Sequence, residues 1–428
     1  MLKESNENGA FREYALAEGV RLLVAPTKKF KKTRVTVVVH DLLDKTRSSL
    51  AGLLPFVQKR GTQRYPSGIE LERAAAALYD ARLTGEVLKM GDRQLLSFSL
   101  DILADRLAGE PIFGKGLELL SEFVFRPAGT DGAFVPEYVE QEKEFQVGRL
   151  RSLVNNKPLY ARHRCVEEMF PGDPCALHEF GTEDGIRAAD PAGLGRLHRE
   201  LLATRPVDVY VVGDVEPDEA HDRAVRWLVP RRTAPEVLRP SRVERGSGEA
   251  RAVTDEERMK QGWLVLGIKS DVARPDPARY GLMLFNGILG AFVHSKLFIN
   301  VREKASLAYT AGSGYLPNKG VILALAGIDV NKRDQALELM QKQVEDTAKG
   351  DFTDEELEIT RRALATQYRM RLDTPEGQIV HHAGGAAEGS AETIEEVLAG
   401  IARVRRSDIL AAAERIRLDT VYFLKGVD

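Results

Sequence analysis

Cysteine and long apolar runs are scarce in this 428-residue chain. Its two cysteines, Cys165 and Cys175, exclude a disulfide framework and indicate a reducing compartment. We expect two inert thiols, with one disulfide between them as the alternative. No run approaches the roughly 20 apolar residues that a membrane helix needs, and residues 1–14 lack the apolar centre of a signal peptide. The sequence therefore predicts a cytoplasmic protein with no membrane partner.

An excess of charge of either sign is also missing. The chain has 61 basic and 64 acidic residues, interspersed along its length, for a formal net charge of −3. Nucleic acids and anionic membrane surfaces attract proteins with concentrated positive charge, so this balance excludes both as expected partners. The length exceeds what one hydrophobic core usually organises, which predicts two domains.

Several catalytic motifs are missing as well. The chain contains no Gly-x-x-x-x-Gly-Lys-Ser/Thr phosphate loop and no Gly-x-Ser-x-Gly nucleophile turn. Among its eight histidines, His163 lies four residues before Glu167, a spacing that permits metal binding on a helix. The same spacing is common for solvated pairs on helix surfaces, and we prefer that interpretation.

A segment rich in charge and proline divides the chain into halves of similar length. Residues 231–250 combine prolines, many charges and a Gly-Ser-Gly without apolar periodicity, which is typical of a linker. We therefore predict an N-terminal domain at residues 1–230 and a C-terminal domain at residues 251–428.

The two halves resemble each other. Apolar strand-like runs at residues 209–212 and 421–424 close them, and each run follows an apolar-periodic helix. This correspondence indicates an internal duplication. Strands and helices alternate without a strict βαβ order, which favours an α+β fold with helices packed on a mostly antiparallel sheet. Further strand-like runs lie at residues 34–39, 95–103, 262–268 and 321–328.

Residues 49–62 read SLAGLLPFVQKRGT and predict a helix followed by a turn. An ordinary amphipathic helix is one interpretation. The outline also resembles the H-x-x-E-H zinc helix of the inverted zincins, the pitrilysin and mitochondrial-processing-peptidase family. The histidines and the glutamate of that motif fall on Gly52, Phe56 and Pro55. Glycine and phenylalanine cannot ligate a metal and proline cannot act as a general base, so the resemblance implies a peptidase relative without a catalytic zinc.

The resemblance also implies a third zinc ligand on the helix expected from residue 136 to residue 154. In the family this ligand is a glutamate that lies seven residues after another glutamate. With Glu142 as the earlier residue, the ligand position falls on Arg149, which cannot bind zinc. The segment at residues 169–183, which contains MFPGDP and then Gly-Thr-Glu, resembles a further landmark of the family and lies in the expected order.

Residues 289–309 resemble the part of the family that contacts bound peptide, with Arg302 and Tyr309 at its arginine and tyrosine positions. The resemblance implies that both side chains hydrogen-bond a substrate carbonyl. A guanidinium offers several fixed donors and a phenol offers one, which suits this role. The alternative is that Arg302 pairs with a nearby acid and Tyr309 packs in the core.

The family resemblance implies two homologous α+β domains that form a clam-shell around a cavity. It also implies a non-catalytic, substrate-holding subunit of a heterodimeric zinc metallopeptidase that processes peptides or small proteins. The expected partner is a homologous subunit with an intact H-x-x-E-H. The zinc is expected in that partner, with no cofactor in this chain, and the chain is expected to be inactive alone.

A second hypothesis is a catalytically inert scaffold or peptide-binding protein. Residues 418–426, LDTVYFLKG, resemble a bacterial branch of the family associated with peptide maturation or with modification of elongation factor P. A neighbouring gene that encodes an intact H-x-x-E-H chain would favour the heterodimer over the scaffold.

Overall fold

The computed structural model describes residues 10–246 and 248–427. The prediction that residues 1–14 are not a signal peptide falls mostly on residues 1–9, which lie outside the described part. The chain divides into two compact units. Unit 1 comprises the residues up to Arg151, Leu177–Arg239 and Arg371–Ala383. Unit 2 comprises Ser152–Ala176, Pro240–Met370 and the residues from Gly384 onward.

The strands form one large sheet in each unit and a small hairpin in unit 1. Their bounds are β1 Arg12–Ala17, β2 Val20–Pro26, β3 Lys32–Leu42, β4 Arg82–Met90, β5 Arg93–Leu103, β6 Gly129–Thr130, β7 Ala133–Phe134, β8 Val207–Gly213, β9 Arg251–Arg258, β10 Gly262–Ser270, β11 Ala308–Leu316, β12 Val321–Ile328 and β13 Ile416–Val427.

The α-helices pack on these sheets. Their bounds are α1 Ser48–Gln58, α2 Gly68–Ala76, α3 Asp105–Ala108, α4 Phe113–Phe125, α5 Pro136–Ser152, α6 Lys157–Met169, α7 Glu183–Arg187, α8 Pro191–Thr204, α9 Pro217–Trp227, α10 Arg279–Asn286, α11 Arg333–Ala348, α12 Asp354–Met370, α13 Pro375–Ala386, α14 Ile394–Arg403 and α15 Arg406–Ala413. In the described part of the chain, none of the helices combines the length and apolarity that crossing a bilayer requires.

The sheet of unit 1 has the order β1-β2-β8-β3-β5-β4 and is antiparallel except between β2 and β8. Strand β3 shows how it is buried on two faces. Val35, Val37 and Val39 point into the core beneath the helices, as the two-residue period of a strand requires. Val38 points to the opposite face and packs with Ile379 of α13.

The sheet of unit 2 has the order β11-β12-β10-β13-β9 and is antiparallel except between β13 and β9. Leu264, Leu266 and Ile268 alternate along β10 into the main core of this unit. Val265 points to the other face, where it packs with Cys165 of α6. Both sheets therefore need helices on two faces.

The two units repeat one topology. The order β2-β8-β3-β5-β4 in unit 1 corresponds to β9-β13-β10-β12-β11 in unit 2, with the parallel pair at the same place. Helices α5 and α6, joined by a 3₁₀ turn at Leu153–Asn155, correspond to α12 and α13, joined by a 3₁₀ turn at Arg371–Asp373. This correspondence supports the predicted duplication and the α+β class.

Each unit also contains a helical segment from the other half of the chain. The domains predicted at residues 1–230 and 251–428 are contiguous and do not include this exchange. Helix α6 comes from the first half of the chain but packs on β10 of unit 2, where a Cβ atom at Gly267 would lie 2.4 Å from Met169 Sδ. Helix α13 comes from the second half, and residues up to Ala383 belong to unit 1. A linker composition marks a seam in the sequence, but it does not indicate which sheet a helix covers.

Candidate functional site

The helix that resembles a zinc helix is α1, which is buried along most of its length. At Gly52, the first ligand position, the backbone of Glu179 and Phe180 occupies the space that a side chain needs. A Cβ atom at Gly52 would lie 3.0 Å from Phe180 Cα and 3.2 Å from Glu179 O. A histidine at this position would therefore have to displace the neighbouring segment.

Hydrogen bonds hold that neighbouring segment against α1. Gln94 Nε2 donates to Glu179 O at 2.6 Å and to Ser48 O at 2.9 Å. The backbone N–H of Thr182 donates to Ser49 Oγ at 3.0 Å. The segment and the first turn of α1 are thus tied to the same groups, and the crowding at the ligand position is built into the fold.

Phe56, at the second histidine position, belongs to a cluster of ring-bearing side chains. It contacts Phe180 edge to face, with ring centroids 6.0 Å apart, and Phe180 contacts the His178 ring at 5.3 Å. The guanidinium carbon of Arg149 lies 4.7 Å from the Phe56 centroid. The second and third ligand positions are therefore adjacent, which supports the register of Arg149. They form a cation–π contact where a metal would need two ligands.

Pro55, at the general-base position, is buried inside α1 and faces β4. A Cβ atom at Gly85 of β4 would lie 2.6 Å from Pro55 O and 2.9 Å from Pro55 Cβ, so the strand approaches the helix through a glycine. Proline has neither an acidic nor a basic side chain. This position therefore contributes packing and no proton transfer.

The carboxylate of Glu142, the earlier glutamate on α5, already has an ion-pair partner. It is buried and accepts a hydrogen bond from Arg60 Nε at 2.6 Å. Arg60 begins the turn after α1, so this ion pair joins α5 to the end of α1. Its carboxylate has a structural partner.

The four positions implied by the resemblance do not fit a zinc ion. Proteins bind zinc through cysteine, histidine, aspartate or glutamate, whereas these positions hold Gly52, Pro55, Phe56 and Arg149. The guanidinium of Arg149 is permanently positive and repels a cation. Backbone atoms and a cluster of rings crowd these positions, so the residues at them provide neither a metal site nor a general base.

Arg302 lies in unit 2 on a π-helical segment, Leu297–Lys304, which follows another π-helical segment at Gly287–Ala291. Such turns are rare and are frequent at functional sites. The Arg302 side chain is 40% exposed, and its guanidinium carbon lies 4.5 Å from the centroid of Phe298. Its Nε lies 3.5 Å from Glu303 Oε1, which makes a loose surface ion pair.

Tyr309 lies at an irregularity in the pairing of β11 with β12 and is 58% exposed. Its hydroxyl donates to Asp329 Oδ1 at 2.9 Å, and this hydrogen bond raises the pKa of Tyr309. Lys332 Nζ lies 3.5 Å from Asp329 Oδ2 and donates to Ser306 O at 3.2 Å. The phenol is thus fixed in direction while its ring stays accessible.

Arg302 and Tyr309 line the same open groove, which has a volume of about 380 Å³. The structure therefore brings together the two residues that the sequence predicts to face one cavity. The alternative was that Arg302 pairs with an acid and Tyr309 packs in the core. Arg302 does lie near Glu303, but Tyr309 is exposed. The other lining residues are Glu303, Ser306, Leu307, Ala308, Asp329 and Lys332.

Sequence reasoning missed Asp329 and Lys332, although a signal for Asp329 was present. The apolar run at residues 321–328 predicts a strand, and Asp329 follows it directly. In an antiparallel pair the end of one strand lies beside the start of the next, and Ala308 indeed pairs with Ile328. Tyr309 and Asp329 therefore meet at one end of the sheet.

Cys165 and Cys175 are both buried, and within the described residues neither takes part in a disulfide. Burial raises the pKa of the Cys165 thiol to about 12, which keeps it protonated at neutral pH.

One known protein resembles this chain over nearly its whole length, and another resembles it over about three fifths. It is 32% identical over 412 residues to a Bacillus subtilis protein named "Probable inactive metalloprotease YmfF", and the match covers 96% of both chains. It is 25% identical over 273 residues to a "subtilosin biosynthesis protein" of the same organism, AlbE, covering 62% of this chain and 66% of that one.

Fold comparison and a family model agree with these matches. The crystal structure of a conserved protein from Enterococcus faecalis V583 has a TM-score of 0.88 and 28% identity, covering 97% of this chain and 99% of that chain. The family model described as "Peptidase M16 inactive domain" matches residues 196–364. The chain belongs to the M16 family of metallopeptidases, the pitrilysin-like family indicated by its motifs, and is an inactive homologue within it.

Proposed function

We propose that this chain is the substrate-holding subunit of a heterodimeric zinc metallopeptidase that processes peptides or small proteins. The observation that carries the proposal is that Arg302 and Tyr309 line one open groove in unit 2, where the Arg302 side chain is 40% exposed and Tyr309 is 58% exposed. The proposed chemistry of the site is binding and orientation, because the four zinc-motif positions hold Gly52, Pro55, Phe56 and Arg149, whose side chains neither ligate zinc nor act as a general base.

The geometry of the groove suits a peptide backbone, with Arg302 as a donor to a carbonyl and Tyr309 as an acceptor from an N–H. The guanidinium of Arg302 contacts the Phe298 ring, and its N–H groups can donate in the plane of the fork. The Tyr309 hydroxyl donates to Asp329, so its oxygen remains an acceptor for a peptide N–H. Two fixed contacts restrict the position of the bound peptide, and such restriction lowers the barrier of a reaction carried out by another chain.

The catalytic centre is assigned to a partner in this proposal. That partner is a homologous subunit with an intact H-x-x-E-H, which supplies the zinc and the general base. We place the complex in the cytoplasm, because two cysteines that form no disulfide within the described residues fit a reducing compartment. Activity is then a property of the complex, and this chain alone is inactive.

Affinity purification of the tagged chain from its native cell tests the proposal. The expected result is a co-purifying chain of similar size that contains H-x-x-E-H, identified by mass. Co-expression of the two should give a complex that survives gel filtration, since obligate interfaces typically bury more than about 2,000 Å². Two separate monomers at micromolar concentration and low salt would reject the heterodimer.

A second candidate function is an inert peptide-binding scaffold that acts in peptide maturation. One observation favours it, namely the 25% identity to a protein named for the biosynthesis of the bacteriocin subtilosin. The two functions differ in turnover. A purified complex that cleaves peptides supports the holding subunit, whereas a complex that binds peptides without cleaving them supports the scaffold.

A further inference from the structure

An open pocket of about 750 Å³ lies in unit 2 at the start of β10. One wall is the turn between β9 and β10, with Met259, Lys260 and Gln261, followed by Trp263 on the strand itself. The opposite wall comes from residues 152–158, which precede and begin α6. The volume exceeds that of a single side chain, so the pocket admits a segment of a ligand.

The lining of this pocket suits a peptide. Side-chain amides of Asn155 and Gln261 can each donate and accept hydrogen bonds, as a peptide group does. Within the described residues, neither amide has a hydrogen-bond partner. The half-buried indole of Trp263 provides a flat apolar surface beside them, and Lys157 is already paired with Glu257 at 3.5 Å. The pocket thus combines a hydrophobic platform with groups that match a peptide backbone.

The strand register connects this pocket to the groove of Tyr309. Trp263 of β10 pairs with Gly327 of β12, which pairs with Thr310 of β11, the residue after Tyr309. The Trp263 ring covers Gly327, where a Cβ atom would lie 3.0 Å from the indole and 3.4 Å from Thr310 Cγ2. A side chain at Gly327 would displace the Trp263 ring, so the glycine lets this ring lie across β12 toward Thr310 of β11.

Sheet geometry gives the distance between the pocket at Trp263 and the groove at Tyr309. Neighbouring strands lie about 4.8 Å apart, so Trp263 and Thr310 are separated by about 10 Å across β12. An extended peptide advances about 3.3 Å per residue, so about three residues span this distance. One peptide can therefore occupy the groove and the pocket at once.

We propose that the Trp263 pocket is a second subsite for the peptide held at Arg302 and Tyr309. It takes a large apolar or aromatic side chain about three residues away from the held carbonyl, and Asn155 and Gln261 bind the backbone beside it. This inference rests on the proposed holding function. It names the substrate class as extended peptides with a bulky apolar residue at that spacing.

A library of unstructured decapeptides, captured on the immobilised chain, tests the inference. Captured sequences should be enriched in Phe, Trp, Leu or Met at one position. Trp227 and Trp263 are the tryptophans of the chain, so Trp227→Phe leaves Trp263 as the fluorescent reporter for titration. A captured peptide should change this emission, and replacing its bulky residue by Ser should weaken binding about 10-fold, as expected for lost burial of a large side chain.

Two variants separate this inference from the holding function. Trp263→Leu, which keeps an apolar side chain on Gly327, should remove the 10-fold preference for the bulky peptide over its Ser counterpart. Gln261→Ala, at a half-buried position in a turn, should weaken both peptides and serves as a second test if Trp263→Leu does not fold. Arg302→Ala should weaken both peptides and leave the preference intact.

Each outcome decides one of the two proposals. An unchanged preference in Trp263→Leu, together with weaker binding in Arg302→Ala, overturns the second subsite and leaves the holding function standing. A lost preference in Trp263→Leu, with Arg302→Ala binding normally, supports the pocket as a peptide site and contradicts the holding role of Arg302. Capture without enrichment of bulky residues overturns the second subsite.

Discussion

The two units repeat one strand order but differ at the places where the family resemblance expects chemistry. In unit 1, backbone at Glu179 and Phe180 crowds Gly52, and Arg149 stacks on Phe56. In unit 2, Arg302 and Tyr309 remain exposed in an open groove. The former metal site has become part of the packed structure, whereas the groove has stayed a surface that a ligand can reach.

This contrast has an energetic consequence. Substitutions at a packed position such as Gly52 act mainly on the free energy of unfolding. Substitutions at exposed positions such as Arg302 and Tyr309 usually change that free energy by less than about 0.5 kcal/mol. Their effect on activity therefore reports binding, and the two units can be tested with separate measurements.

The largest effect is expected in unit 2, from the double variant Arg302→Ala, Tyr309→Phe. Turnover by the complex should fall about 10- to 1,000-fold, because a charge-assisted positioning contact of about 1.5–4 kcal/mol is lost. Steady-state kinetics of the complex measures the effect, and gel filtration checks that assembly is intact. Arg302→Lys should rescue poorly, since an ammonium does not reproduce the planar fork.

The exposed Arg369 on α12 offers a matched control, because Arg369→Ala removes the same charge outside the groove. Its turnover should equal that of the wild type. Near-normal turnover in the double variant would refute the holding role and favour the scaffold.

The next effect is expected in unit 1, at the blocked ligand position. Gly52→His should lower the free energy of unfolding by about 3 kcal/mol, at the upper end for overpacking, because backbone atoms lie 3.0–3.2 Å from the new Cβ. Urea unfolding measures the loss. Gly148→His on α5 is the control, since nothing lies within 4 Å of a Cβ there. Equal stability of the two variants would show that the position is not blocked.

Unit 1 should also carry much of the pH dependence of stability. Burial lowers the pKa of both His198 and His382 to about 4, whereas the unfolded value is about 6.5. The unfolded chain therefore takes up these protons first as the pH falls. The free energy of unfolding should be highest above pH 6.5 and should decrease toward pH 4, by about 2 kcal/mol per histidine at pH 5.

Urea unfolding at pH 7.5 and pH 5 measures this decrease. His198→Gln should make it smaller by about 2 kcal/mol, because this side chain no longer titrates. A decrease of the same size in the variant would mean that the His198 pKa is not lowered in the folded chain.

The smallest effect concerns the cation–π contact that stands at the former ligand positions. A double-mutant cycle with Phe56→Leu and Arg149→Ala should give a coupling of about 0.5–1 kcal/mol, the usual range at exposed sites. Urea unfolding of the four chains measures it. A coupling near zero would mean that the two side chains are independent in solution.

Local features of the fold follow from the sequence because they depend on nearby residues. The strand-like runs at residues 95–103 and 321–328 lie in β5 and β12. The missing zinc ligands follow as well, because a residue type alone decides whether a side chain can bind a metal. The groove at Arg302 and Tyr309 follows from the family resemblance rather than from periodicity.

Features that depend on distant contacts were not predictable in the same way. The crowding of Gly52 needs residues 179–180, which lie more than a hundred positions further along the chain, and the sequence shows no sign of that approach. The exchange of α6 and α13 depends on which apolar sheet face each helix packs against, and local sequence does not indicate this. The π-helical segments that precede and contain Arg302 have no simple sequence signature.

The central claim is that this chain positions a peptide for a metal centre in another chain. The most direct measurement compares zinc content and peptide cleavage for the purified chain alone and for its complex with the H-x-x-E-H partner. The chain alone should contain no stoichiometric zinc and cleave nothing, while the complex should carry about one zinc, as a catalytic site requires, and cleave peptides. About one tightly bound zinc in the chain alone, with chelator-sensitive cleavage, would contradict the claim.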